Sequence, residues 1–181
     1  AKKITTGIRV MIDFSKSRAG VMLCSLDKTL DIMPELKSII MPLLPILELS
    51  VDDYVFDVKV HMLMPENYPC IPNWHYDFLP RNEEGVRCKG KKSNLKMYTW
   101  ISGEPLTVYK NSETGEEYTK PCNMWHSFTQ NDLHRGAVSK THTWRCFIRV
   151  IPRSFIHPNT KNIGEERRHI QVYCDSSKFR W

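Results

Sequence analysis

The chain has no long apolar run, no closely spaced cysteine pair and none of the short loops that mark nucleotide-dependent enzymes or hydrolases. No stretch approaches the roughly 20 apolar residues that a membrane span requires. The opening Ala-Lys-Lys-Ile-Thr-Thr also lacks the apolar segment of a secretory signal. A soluble, cytoplasmic protein without membrane contact is therefore expected. Cysteines 24, 70, 88, 122, 146 and 174 are never closer than 18 residues, which leaves no Cys-x-x-Cys zinc or redox pair. In an intracellular setting these thiols should be reduced and mostly buried. The absence of a Gly-rich phosphate loop, of His-Glu-x-x-His and of Gly-x-Ser-x-Gly removes the usual support for nucleotide-dependent, zinc-protease and hydrolase readings.

Repeats, low-complexity tracts and linkers are likewise missing, so 181 residues with 41% hydrophobic content predict a single domain, 1–181. Its net charge of +6 suits an anionic partner, either nucleic acid or a small anionic cosubstrate, and equally an ordinary solvated surface. Residues 1–54 read as a flanking strand and helix region. Within it Leu36, Ile39 and Ile40 follow helical spacing, Pro34 suits a first turn, and Pro42 and Pro45 stop regular helix. From Val55 to Met64 the period becomes two: Phe56, Val58, Val60, Met62 and Met64 share one face, and Asp57, Lys59 and His61 the other. Further short alternating stretches lie at Trp74 to Phe78, Leu95 to Ile101, Pro105 to Tyr109 and Thr143 to Ile151. Many short strands without long intervening helices predict a mainly β fold with flanking helices, a sandwich or jelly roll. Its core is 55–153, and 154–181 forms a C-terminal extension.

Strand periodicity gives Trp74-His75-Tyr76-Asp77-Phe78 its interest, because residues two apart project from one face. His75 and Asp77 are placed to share one ion. A histidine from a distant strand would complete the two-His-one-carboxylate set that leaves positions open on iron(II). Taken alone, the pair serves equally well as hydrogen-bonded neighbours on a strand surface. In the second half, Asn131-Asp132-Leu133-His134-Arg135-Gly136 ends one strand, and Thr143 to Arg149 forms another. There Arg145, Phe147 and Arg149 share a face, an arrangement that is costly unless an anion meets the arginines.

This order of residues resembles the iron(II)/2-oxoglutarate-dependent dioxygenase superfamily: His-x-Asp, a second His some tens of residues later, then a basic residue on the next strand. The resemblance covers roughly Val55 to Arg153 and implies a double-stranded β-helix, the cupin-like jelly roll. It implies His75, Asp77 and His134 as iron ligands and Arg145 as the partner of the far carboxylate of 2-oxoglutarate, with Arg149 a weaker substitute. It also implies molecular oxygen as cosubstrate and hydroxylation as the reaction. His126 is the main rival for the distal ligand but lacks a basic residue on a following strand; a core or supporting role suits it better. His61, His142, His157 and His169 read as ordinary surface or hydrogen-bonded residues.

The substrate is open. Arg81, Arg87, Lys89, Lys91 and Lys92 follow the metal segment, and Trp74, Tyr98 and Trp100 lie near it, a mixture suited to a nucleobase, nucleotide or nucleic acid. The same residues also suit a solvated loop and a core, and a protein side chain or small metabolite stays open. Two rivals remain: a jelly-roll binding protein without turnover that docks a partner on this basic, aromatic surface, and a cupin that uses its metal without 2-oxoglutarate. The sequence sets no oligomeric state.

Overall fold

The computed structural model describes residues 11–88 and 90–174. Nine strands are formed among them: β1 (Gly20–Cys24), β2 (Tyr54–Leu63), β3 (Met97–Ile101), β4 (Thr107–Lys110), β5 (Glu117–Thr119), β6 (His126–Phe128), β7 (Leu133–Gly136), β8 (Thr143–Pro152) and β9 (Glu165–Glu166). They form two antiparallel sheets, one ordered β6-β3-β8-β2-β1-β9 and one ordered β5-β4-β7. The fold is thus mainly β with a few short helices. Among the described residues no helix is long and apolar enough to cross a membrane.

The large sheet is organised by β2 and β8, which pair without interruption from Tyr54↔Pro152 to Leu63↔Thr143. Alternation sends their even-numbered residues outward. Phe56, Val58 and Val60 join Cys146, Ile148 and Val150 in an apolar layer with Tyr98 and Trp100 of β3. That layer is covered by Met33, Leu36, Ile40 and Leu43 of the helical region. The odd-numbered residues face inward. At one end they are apolar, with Val55, Met97 and Ile151 packed on Phe128 and Tyr109. Further along, the same face carries Asp57, Lys59, Thr99, Arg149, His61 and Arg145, a polar interior that has to be matched by partners or ligands.

The helical region is shaped by its prolines. A helix α1 (Leu26–Ile32), which periodicity does not suggest, starts at Ser25, whose hydroxyl accepts from Lys28 N–H. Met33, at φ −129° and ψ 68°, leaves the helical region before Pro34, whose ring disfavours a helical residue ahead of it. Pro34 then opens a 3-10 turn leading into α2 (Lys37–Ile40). Pro42 and Pro45, lacking N–H donors, tighten the next turns into a 3-10 segment, Met41–Ile46. Both chain extensions widen the large sheet: β1 pairs with β2, and β9 with β1.

Three expectations change. Trp74 to Phe78 is not a regular strand; only His75 pairs, in a single bridge to His134, and Phe78 at φ 51° ends the extended run. Tyr98 and Trp100 lie in the core on the face opposite the polar interior, so neither is placed to stack a base. Of the six thiols, only Cys24 and Cys146 are buried; Cys70, Cys88 and Cys122 are half-buried and Cys174 is exposed, all of them free.

Candidate metal centre and the cavities beside it

His75 and His134 are brought together by backbone. Each N–H donates to the other's carbonyl, at 2.9 and 3.0 Å, which sets the two rings 4.5 Å apart between centroids. Asp77, two residues beyond His75, places its Oδ1 3.5 Å from His75 Nε2 and 3.4 Å from His134 Nε2. Adjacent donor atoms on an ion with bonds of ~2.1 Å stand roughly 3 Å apart. The observed spacings are slightly wider, within reach of small side-chain rotations.

The ring orientations carry more information than the spacings. His75 Nδ1 lies 2.7 Å from the Asn73 carbonyl, and His134 Nδ1 lies 2.9 Å from the Asp132 carbonyl. A carbonyl oxygen only accepts, so each Nδ1 must carry its hydrogen. In the neutral rings both Nε2 lone pairs then point at a carboxylate oxygen, which is repulsive unless a proton or a metal cation lies between them. Backbone carbonyls that fix the tautomer in this way are the usual outer support of metal-bound histidine. His75, Asp77 and His134 thus form a donor set whose chemistry fits a divalent first-row ion.

Protonation agrees with that picture. Burial acts to raise the Asp77 carboxyl, but Arg149 and then His134 overcome it and hold the group far below the usual carboxylate range. Burial, followed by His134, pushes His75 down; burial acts to lower His134 as well, but Asp77 and the Asp132 carbonyl together overcome it and raise the group. The three groups together favour a net positive guest at their centre.

Arg149 completes this cluster from behind. Its Nη1 donates to Asp77 Oδ2 at 2.6 Å and its Nη2 to Asp57 Oδ2 at 2.7 Å. The other Asp57 oxygen accepts from Arg167 of the C-terminal extension. Here Arg149 is committed to two carboxylates. Arg145 is different: it is only 2% exposed, its guanidinium makes no hydrogen bond or ion pair among the described residues, and it lies over the Phe147 ring, 5.4 Å from the centroid. With Thr99, Thr107 and Tyr109 it lines a cavity of about 60 Å³ that His75, Asp77 and His134 also line. Thr99 Oγ1 is equally unpartnered.

His61, an ordinary histidine by sequence pattern, takes an unusual place. It sits across from Arg145 in the β2–β8 register, is 5% exposed, and neither ring nitrogen has a partner. Burial first, then Arg145 and Lys59, push it down to about 3. A signal of this exists in the sequence, since His61 alternates with Asp57 and Lys59 along β2. His126 lies outside the cluster on β6, where its Nε2 donates to the Pro121 carbonyl at 2.7 Å. His142 faces the Met62 sulfur, and His157 accepts from Asn159 N–H.

A larger cavity of about 760 Å³ opens from His75 and Asp77 and is lined by Arg81, Arg87 and Lys91 together with Phe78, Phe155 and Ile156. Lys92 stands apart, its ammonium 3.5 Å from the centroid of the Tyr76 ring, and Trp74 is covered by Lys110 and Arg135. Lys89 lies outside the described residues. Comparison with known proteins adds no relative to this geometry: no family model, no curated protein and no solved structure matches the chain.

Proposed function

We propose that this chain is an iron(II)- and 2-oxoglutarate-dependent oxygenase built on a double-stranded β-helix. The observation that carries the reading is the pair of histidines whose Nδ1 hydrogens are spent on the Asn73 and Asp132 carbonyls, leaving both Nε2 lone pairs aimed at Asp77. His75, Asp77 and His134 would hold the ion. When bound, iron(II) with 2-oxoglutarate would use molecular oxygen to oxidise an unreactive C–H bond, a chemistry that belongs to the cofactor and not to the protein.

The chain's own residues bind, orient and shield. Arg145 provides a buried, unneutralised guanidinium at the end of the smaller cavity, suited to the far carboxylate of 2-oxoglutarate by a charge-assisted contact. Thr99 lies beside it with a free hydroxyl. Arg149 keeps Asp77 ionised and turns one of its oxygens toward the histidines. Phe128, Phe147 and Tyr109 wall the cavity and limit water. The larger cavity, opening from the same His75 and Asp77, is where a substrate would approach.

The test is anaerobic titration of the metal-free chain with iron(II) and 2-oxoglutarate, followed by oxygen. A weak visible absorption band that requires both additions, then succinate on admitting oxygen, is the expected result. Iron binding without a band supports a metal protein that does not use 2-oxoglutarate, and no iron binding by folded protein supports the binding-module reading.

A further inference from the structure

The larger cavity carries a charge imbalance that the metal centre does not use. Its only two carboxylates among the described residues, Asp57 and Asp77, are taken by Arg149 and Arg167. Lys59, Arg81, Arg87 and Lys91 line it as well, and none of the four has a carboxylate within ion-pair distance among the described residues. Its volume of about 760 Å³ falls in the range of roughly 300–1,000 Å³ typical of small-molecule sites.

The positions of Arg81 and Arg87 sharpen the point. They oppose each other in a single antiparallel bridge within a hairpin closed by Cys88 N–H to the Pro80 carbonyl and Asn82 N–H to the Val86 carbonyl. Like charges directly opposite across a bridge repel. Glu83 and Glu84 at the turn of the same hairpin pair with neither arginine, although both are near enough in sequence to have done so. Arg81 donates to the Gly85 carbonyl at 2.7 Å, which orients its guanidinium without neutralising it.

The hairpin is also held in place. Gln130, 1% exposed, donates to the Phe78 carbonyl at 2.7 Å and accepts from Ser93 N–H at 2.8 Å, so one buried side chain pins both flanks. Two like-charged arginines on a pinned hairpin at the edge of a cavity, one of them oriented by the Gly85 carbonyl, suit an anion with several oxygens. The inner lining, Phe78, Phe155 and Ile156, is apolar. A ligand that satisfies both parts has a compact polyanionic end and a flat or apolar body.

We propose that this cavity binds a nucleotide-sized organic phosphate, its phosphate between Arg81 and Arg87 and its body over Phe78 toward His75 and Asp77. Phosphate is favoured over carboxylate because its three oxygens serve two arginine forks at once, whereas a carboxylate has oxygens for one. Only the further claim that this ligand is the substrate rests on the oxygenase reading.

Calorimetric titration of the metal-free chain with AMP, inorganic phosphate and succinate tests the proposal. AMP should bind with a sub-millimolar Kd at low salt, inorganic phosphate more weakly, and succinate should not compete. The double variant Arg81→Gln/Arg87→Gln should weaken AMP at least tenfold with unchanged thermal unfolding, since both side chains are exposed on the hairpin. No binding of AMP at millimolar concentration, an unchanged affinity in the double variant, or equal competition by succinate would overturn it. Tighter binding of a single-stranded oligonucleotide than of AMP would overturn the nucleotide-sized ligand. The iron and 2-oxoglutarate titration on the same sample separates the two ideas: AMP binding without the visible band sinks the oxygenase and leaves the phosphate site, and the reverse does the opposite.

Discussion

Arg149 donates at 2.6 Å to the one oxygen of Asp77 that neither histidine faces. Asp77 is thereby divided: Oδ2 is occupied by a guanidinium and Oδ1 is left for an ion, which favours one-oxygen coordination. The second arm of Arg149 on Asp57, and Arg167 on the far side of Asp57, extend the contact into an alternating chain of charges reaching the C-terminal extension. If Asp77 holds an ion as proposed, its affinity should be sensitive to residues that never touch the metal.

Arg149→Ala is accordingly expected to weaken iron(II) affinity by about 10–100-fold. It should also cost about 3–5 kcal/mol of stability, because two largely buried carboxylates lose their shared partner. Arg149→Lys keeps the charge but not the fork and should fall between. Anaerobic metal titration and urea unfolding measure the two effects separately. Wild-type metal affinity in Arg149→Ala would show that Asp77 needs no support from behind.

Arg145 should respond with the opposite sign of stability. It is buried without an ion pair, so replacing it by Met removes an uncompensated charge and should leave the ligand-free chain as stable or more so. The same variant should lose the stabilisation that 2-oxoglutarate confers on the iron-loaded wild type, about 2.7 kcal/mol when the ligand is at a hundred times its Kd. Iron binding should persist. Thermal unfolding with and without 2-oxoglutarate decides this, and an undiminished ligand shift in Arg145→Met would mean that another cation, such as Lys59, takes the carboxylate.

The contrast between these arginines shows how far sequence alone can reach. Period-two alternation is enough to put Asp57, Lys59 and His61 on one face of β2, and Arg145 with Arg149 on one face of β8, because strand geometry is local. It cannot say that Arg149 is committed to Asp77 and Asp57 while Arg145 is free, since that depends on the register that brings Asp57 and Arg149 together from 92 residues apart in sequence and on the arrival of Arg167. His75 and Asp77 are legible as a pair, though for an imperfect reason: they come together through a single bridge and a turn at Phe78, not through a regular strand. The helix α1 escapes because its seven residues show too little apolar periodicity, and it is defined by the Ser25 cap instead.

His61 gives a pH dependence of definite sign. In the folded chain it stays neutral down to about 3, whereas in the unfolded chain it takes up a proton below ~6.5. Between those values the unfolded state binds more protons, so stability is complete above the window and falls as pH falls through it, by up to about 1.4 kcal/mol per pH unit. His61→Leu should remove this component. In chelator, the wild type should lose about 2–3 kcal/mol more than the variant between about pH 6.5 and 4.5. Parallel unfolding curves for the two proteins across that range would show that His61 finds a proton-stabilising partner in the folded state.

The spacing of the candidate metal ligands depends on one close approach of backbones. Gly136, two residues beyond His134 on β7, donates its N–H to the Ile71 carbonyl at 2.8 Å. A Cβ at this position would lie 2.7 Å from the Cys70 carbonyl oxygen and 3.0 Å from its sulfur. Cys70 leads into the segment that carries His75 and Asp77, so Gly136→Ala has to push that segment off β7 and stretch the His75–His134 bridge. The expected outcome is a loss of about 1–3 kcal/mol from overpacking and, separately, iron(II) affinity reduced at least tenfold in protein that is still folded. Gly90→Ala is the control, since a Cβ there meets nothing within 4 Å. If Gly136→Ala lowers stability yet binds iron as the wild type does, the His75–His134 bridge is not what sets the ligand spacing, and Asp77 must be positioned mainly through Arg149.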